Sequence, residues 1–162
     1  MDIYLVRHAA AVARGTTGTD TDEERPLSEE GWKQAASLGR VFKKRGIIPE
    51  MVVTSPLVRA VQTATELCTV LELGDGHMET RYELAPDGRP RKLAKYLNGL
   101  PWQSVIMVGH QPDLGRCAGW LLGNKEMQID FAKGGAAMIR VEGALAKGAG
   151  TLMWLISPMW IE

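Results

Sequence analysis

Four side chains suited to holding and attacking a dianion stand just past apolar runs. Arg7 and His8 close the run 3–6, Arg59 follows Ser55-Pro56 after the run 51–54, and His110 follows Gly109 after the run 104–108. Guanidiniums bind phosphate through paired hydrogen bonds, and helix N-termini add to the attraction. An imidazole that is neutral near physiological pH can attack or carry a proton. Any one of these residues alone would be ordinary: a satisfied histidine, a surface arginine. Their recurrence at successive strand ends is what describes a phosphate-sized anion site. His77, between Gly76 and Met78 in a turn, has no such setting and reads as surface.

For these groups to meet, the runs must be parallel strands that end at one edge of a sheet. Side chains alternate between faces inside a strand, so Arg7 and His8 serve one site only if the strand stops there. The polar segment 9–26 that follows says that it does. Loops of that length are uncommon and often functional. Its acidic run, residues 20–24, reads as solvated surface rather than as a metal site. Ser28 suits an N-cap, with Leu27 stapling onto Trp32, and a helix follows to about Lys44 with Gly46 as its stop. Trp32, Ala35, Ala36, Gly39 and Phe42 recur at helical spacing on it. After the second strand, Ser55 reads as N-cap and Pro56 as first residue of a helix carrying Val58, Val61, Thr65, Cys68 and Leu71 inward. Arg59 falls in its first turn, where a basic residue opposes the macrodipole and invites an anion.

A short strand at 78–80, a helix at 90–97, the buried strand 104–108, a helix at 112–122 and a hairpin of strands 136–142 and 151–156 complete the chain. The order β-α-β-α-(β)-α-β-α-β-β predicts an α/β fold of three layers, α/β/α, with a mainly parallel, mixed central sheet. No repeat or linker divides it, and residues 1–162 read as a single domain.

Nineteen basic residues balance nineteen acidic ones, which argues against nucleic acid or an anionic membrane as main partner. The chain begins on a strand-like run without the pattern of a secretory signal, and no apolar run approaches the roughly 18 residues of a membrane span. Cys68 and Cys117 read as buried thiols in a reducing compartment, so a cytoplasmic location is expected; a monomer is expected as well. Two cysteines and three histidines without ligand spacing predict no metal site, and no cofactor is expected.

The segments Arg7-His8-Ala9, Ser55-Pro56-Leu57-x-Arg59-Ala60-x-Gln62-Thr63-Ala64 and Val108-Gly109-His110 resemble the histidine phosphatase superfamily, which includes cofactor-dependent phosphoglycerate mutases and acid phosphatases. The short chain, Arg25-Pro26-Leu27-Ser28, Glu83-Leu84-x-Pro86-x-Gly88 and Lys133-Gly134-Gly135 are most similar to SixA-type phosphohistidine phosphatases. The resemblance implies a phosphoglycerate mutase-like fold and His8 as a nucleophile that forms a phosphohistidine intermediate. It also implies Arg7, Arg59 and His110 as holders of the phosphoryl oxygens, with Arg25 as a further phosphate contact. Ala9 departs from the superfamily's usual glycine, so the backbone there must accept a Cβ.

The general acid is the second departure. Mutases and many phosphomonoesterases place a carboxylate from an inserted region over the leaving group, whereas here only Glu83 matches, on a short segment. It is a candidate acid or a group that orients an arginine. An alkoxide leaving group needs a proton badly. Imidazole, with a pKa near 6.5, needs it far less. A phosphohistidine-bearing protein is therefore the expected substrate. A small phosphoester is the alternative, and a non-catalytic phosphate-binding module is the rival from another class. A mutase would need a lid for which the chain lacks length.

Overall fold

In a computed structural model, the described residues are 1–16, 18 and 21–161, without the side chains of Pro90 and Arg91. Strand β1 (Asp2–Arg7) is apolar on both faces. Ile3 and Leu5 enter one core, and Tyr4 and Val6 enter the other. A strand buried on both sides belongs in the middle of a sheet. The sheet has six strands in the order β3-β2-β4-β1-β5-β6, where β2 is Met51–Thr54, β3 Met78–Thr80, β4 Ser104–Gly109, β5 Ala136–Val141 and β6 Gly150–Ile156. The pairs β1–β4, β2–β4 and β2–β3 are parallel, while β5 runs antiparallel to both β1 and β6.

Helices α1 (Glu29–Lys44) and α2 (Val58–Val70) supply Leu38, Phe42, Ala60, Ala64 and Leu67 to the core on one face. Helices α3 (Pro90–Asn98) and α4 (Asp113–Leu121) supply Leu93, Leu97, Leu114 and Leu121 to the core on the other. The predicted three-layer, mainly parallel mixed sheet is the observed architecture. No helix among the described residues is long and apolar enough to cross a membrane.

The chain leaves β1 through α1 toward β2 and leaves β4 through α4 toward β5, on opposite sides. The carboxyl ends of β1 and β4 therefore flank the point where strand order reverses. In open α/β sheets that crevice is where ligands bind.

Ser28 caps α1 as expected, its Oγ accepting from Gly31 N–H at 3.1 Å. Such a cap stabilises a helix by about 1 kcal/mol. Gly31 is required for a second reason: a Cβ there would lie 1.9 Å from the Ala10 carbonyl oxygen. That oxygen accepts from Ser28 N–H and Ser28 Oγ–H, seating the helix start on the segment just after His8. Gly46, at φ +68°, ends the turn after α1.

Three local expectations are corrected. Trp32 is 37% exposed, because the neighbouring Gly31 is the residue turned against the chain. On α2 the buried face is Arg59, Ala60, Thr63, Ala64 and Leu67, while Val58, Val61 and Cys68 are only half-buried and Thr65 is exposed. The buried stripe is rotated relative to the expected one, so that Ala60, Ala64 and Leu67 enter the core while Arg59 and Thr63 turn toward the His8 segment. Finally, α2 begins two residues later than expected, with Leu57 at the N-cap, and Ser55 is released for another bond.

Candidate active site

The register brings the two histidines together. Arg7 pairs with Gly109, and His8 N–H donates to Gly109 carbonyl at 3.0 Å. The imidazoles of His8 and His110 then stand 5.0 Å apart between ring centroids, tilted by 53°. From β2, Ser55 N–H donates to Val108 carbonyl at 2.9 Å, which sets the start of the Ser55–Arg59 segment at the same level. The turn before β5 closes the other side: Arg7 N–H donates to Gly135 carbonyl, and Gly134 N–H, on a residue at φ +71°, reaches the carbonyls of Arg7 and His8. His8, Arg59 and His110 are all at least nine-tenths buried.

One hydrogen bond determines the state of His8. Its Nδ1 lies 2.7 Å from the Ala9 carbonyl oxygen, an acceptor only, so Nδ1 carries the proton. Nε2 is left with its lone pair, and Arg59 Nε–H donates to it at 3.3 Å. Burial is the main cause that lowers the His8 pKa to about 4, with Arg59, Arg7 and Lys133 adding to it against the Ala9 carbonyl. The ring is thus neutral near pH 7 and offers Nε2 as a nucleophilic atom. Ala9 is fully buried beside Leu27 and Ala35. It is not among the described non-glycine residues with positive φ, so its Cβ costs the backbone nothing.

His110 is held through its other nitrogen. Its Nε2 lies 2.8 Å from Ser55 Oγ, which also accepts from Leu57 N–H at 3.3 Å. Ser55 Oγ–H can donate to His110 Nε2, in which case Nδ1 carries the ring hydrogen. Burial first, then His8 and the arginines, lowers the His110 pKa to about 3.

Among the described residues, the buried side-chain polar atoms without a hydrogen-bond partner are Arg7 Nε, His110 Nδ1 and Gln111 Oε1. Arg7 Nε is a donor at this edge, and so is His110 Nδ1 in the tautomer in which Ser55 donates to Nε2. An unmade buried hydrogen bond costs about 1–3 kcal/mol, so anionic oxygens arriving here would relieve a cost already present. Arg7 is anchored by donation from Nη1 to the Phe131 carbonyl, and burial lowers its pKa against the pull of Asp130.

Arg25 does not reach the histidines. Its Nε and Nη2 each lie 2.8 Å from Asp22 Oδ1, and its Nη1 donates to Val12 carbonyl. Asp22 in turn receives Arg59, so Arg25 adjoins the site through a shared carboxylate. Asp22 belongs to the acidic run read as solvated surface; that reading is corrected, since its side chain is 31% exposed and meets Arg14, Arg25 and Arg59. Glu83 sits on a 3-10 turn (Tyr82–Leu84) after β3, lining a small cavity with His110, Asp113 and Cys117.

The sequence pattern passed over two further groups. Ser55 bonds His110 rather than capping α2, and Thr63 joins α2 to the segment after His8. Thr63 Oγ1 accepts from Ala9 N–H at 3.1 Å and donates to Arg59 carbonyl at 2.7 Å, tying α2 to the backbone beside His8.

A sequence model described as "Histidine phosphatase superfamily (branch 1)" matches residues 3–85. The chain belongs to that superfamily. An uncharacterised protein of Picosynechococcus sp. is 33% identical over 168 residues, covering 99% of both chains. The phosphohistidine phosphatase SixA of Escherichia coli is 27% identical over 161 residues, covering 98% of this chain and 94% of its own. A solved structure of the protein histidine phosphatase SixA complexed with tungstate superposes with a TM-score of 0.88 at 27% identity, covering all of both chains. The α-ribazole phosphatase of Shigella flexneri, at 18% identity, TM-score 0.73 and 98% and 97% coverage, shares the fold alone. This histidine phosphatase is of the SixA type, as its motifs implied, and its substrate class is a phosphorylated one.

Proposed function

We propose that this histidine phosphatase hydrolyses phosphohistidine on a protein, through a covalent phosphohistidine formed on His8 and without a metal. The observation that carries the reading is the proton position on His8. With Nδ1–H bound to Ala9 carbonyl, Nε2 holds an unprotonated lone pair inside a shell of arginines. His8 Nε2 attacks phosphorus, and the bond to the leaving imidazole breaks as that nitrogen takes a proton. Water then attacks the phosphoryl group on His8 and returns Nε2. Arg7, Arg59 and His110 Nδ1–H face the equatorial oxygens, where charge grows in the transition state. Arg25 takes part at one remove, through Asp22, which supports the site without touching His8.

Leaving-group chemistry supports the P–N substrate. Glu83, the candidate acid, rides on a single short turn beside His110 rather than on an inserted arm. Imidazole is a weak enough base, with a conjugate-acid pKa near 6.5, to leave with a proton from water or a loosely placed acid, whereas an alkoxide is so strong a base that it needs a positioned acid. Glu83→Gln is thus expected to change phosphohistidine turnover by less than about threefold while lowering alkyl phosphate turnover by about 10²-fold or more. A panel of phosphohistidine peptide, phosphoramidate, aryl phosphate and alkyl phosphate, with and without a chelator, reads this directly. A preference for alkyl esters would replace the protein substrate by a small phosphoester. Loss of turnover with the chelator, restored by a divalent ion, would end the metal-free reading.

The pH dependence follows from the same atom. The nucleophile is lost only as pH falls through the His8 pKa of about 4. For an aryl phosphate, kcat/KM corrected for the substrate's own ionisation is expected to stay level from pH 8 down to about 5, then fall about tenfold per pH unit below 4. The same data with circular dichroism on each sample separate this limb from acid unfolding. A limb near 6.5 would mean that the attacking imidazole is not the buried one.

A further inference from the structure

We propose that Asp22 is a positioning residue, which turns one edge of the Arg59 guanidinium toward His8 Nε2 by gripping the other edge. The inference rests on the reading of His8 as the attacking group. A guanidinium offers five N–H donors in a rigid plane, and Nη2 has one on each of two edges. On the end-on edge, Arg59 Nη1 donates to Asp22 carbonyl at 2.6 Å, and Nη2 donates to Asp22 Oδ2 at 2.9 Å. That leaves the side-on edge, Nε and the second hydrogen of Nη2, for the site, and Nε points at His8 Nε2 from 3.3 Å. An incoming phosphoryl oxygen can take over this side-on pair while the end-on grip persists.

The grip is itself braced. Asp22 Oδ1 receives Arg25 through two contacts of 2.8 Å and Arg14 through two of 3.2 Å, which fixes the plane of the carboxylate. The next residue, Glu23, accepts through its carbonyl from Val58 N–H at 3.0 Å, pinning this part of the loop to the start of α2, the helix that carries Arg59. The Arg59 side chain is 5% exposed, so water cannot easily replace the lost partner. Burial works against the charge on Asp22, but Arg59, Arg25 and Arg14 outweigh it and hold its carboxyl below the usual range. The anchor is thus ionised wherever the enzyme works.

The test is a double-mutant cycle read by kcat/KM and by calorimetric titration with inorganic phosphate. Asp22→Ala is expected to lower kcat/KM by about 10- to 100-fold, the cost of a misaimed catalytic group, mostly through kcat, and to weaken phosphate binding by a smaller factor. Asp22→Asn, which keeps an acceptor oxygen, is expected to retain more of both. In an Arg59→Ala background, Asp22→Ala is expected to add less than about twofold, because the two residues act as one unit. Tighter phosphate binding by Asp22→Ala would show a competitor for the site and overturn the proposal. So would a full loss that persists without Arg59, since it would run through Arg25 or the loop fold. Should Asp22→Ala lose its native circular dichroism, Asp22→Asn in both backgrounds carries the same test. Wild-type protein that binds phosphate yet turns over none of the panel counts against the proposed function, while the phosphate titration still decides the role of Asp22.

Discussion

His8→Ala is expected to lower turnover by at least about 10⁴-fold and to abolish transfer of labelled phosphate to the enzyme. Removal of a nucleophile that forms a covalent intermediate leaves only binding and charge stabilisation, whose residual catalysis is small. The fold should survive, because the imidazole contributes polar contacts at the edge while Ile3, Leu5 and Val6 keep β1 in its two cores. Rapid quench of wild-type enzyme with labelled substrate, under alkaline denaturing conditions that preserve a phosphoramidate, should show a burst of label on the protein. The same quench of His8→Ala should show none. Label persisting in that variant would move the covalent step to another residue, with His110 the nearest imidazole.

Arg59→Ala is expected to cost about 10²–10³ in kcat, the penalty of losing one preorganised donor at a developing charge. The loss should fall on kcat more than on KM. Arg7 and His110 still meet the ground-state phosphate, whereas Arg59, alone among the described residues, hydrogen-bonds the atom that attacks. Arg59→Lys is expected to recover less than about tenfold of this, since an ammonium is a point charge without the planar pair of edges. Both variants remove one of the arginine partners of Asp22, so their thermal midpoints belong beside their rates. Pre-steady-state labelling of the enzyme would locate the defect in phosphoryl transfer to His8. A variant that labels at the wild-type rate and stalls afterwards would assign Arg59 to hydrolysis of the intermediate instead.

The strand ends were legible because each combines a short apolar run with an abrupt change to Arg, His or Ser. β1, β2 and β4 lie within a residue of where their runs placed them. The register that joins His8 to His110 follows from parallel pairing, so much of the site could be read before any side chain was located. Two things could not be read. The inward face of α2 includes two polar residues, Arg59 and Thr63, whose partners His8 and Ala9 lie on another element. Periodicity ranks residues by hydrophobicity and is blind to polar partners supplied from elsewhere in the chain. Asp22 was hidden by its neighbours: in a run of acids, nothing local tells which carboxylate the loop will turn inward. The information lies in Arg59, 37 residues on, and in the Val58 amide that pins Glu23.

The placement of β4 between β1 and β2 also bears on how the protein is made. β1 and β2 share no ladder, and each is hydrogen-bonded to β4, which begins at Ser104. A chain still emerging from the ribosome has Arg7, His8 and Arg59 long before it has the strand that sets their spacing. Residues 3–85, the stretch by which the superfamily is recognised, end before that strand. Synthesis therefore delivers the reactive groups early and their alignment late, so the growing chain carries no working phosphatase until its last third is in place.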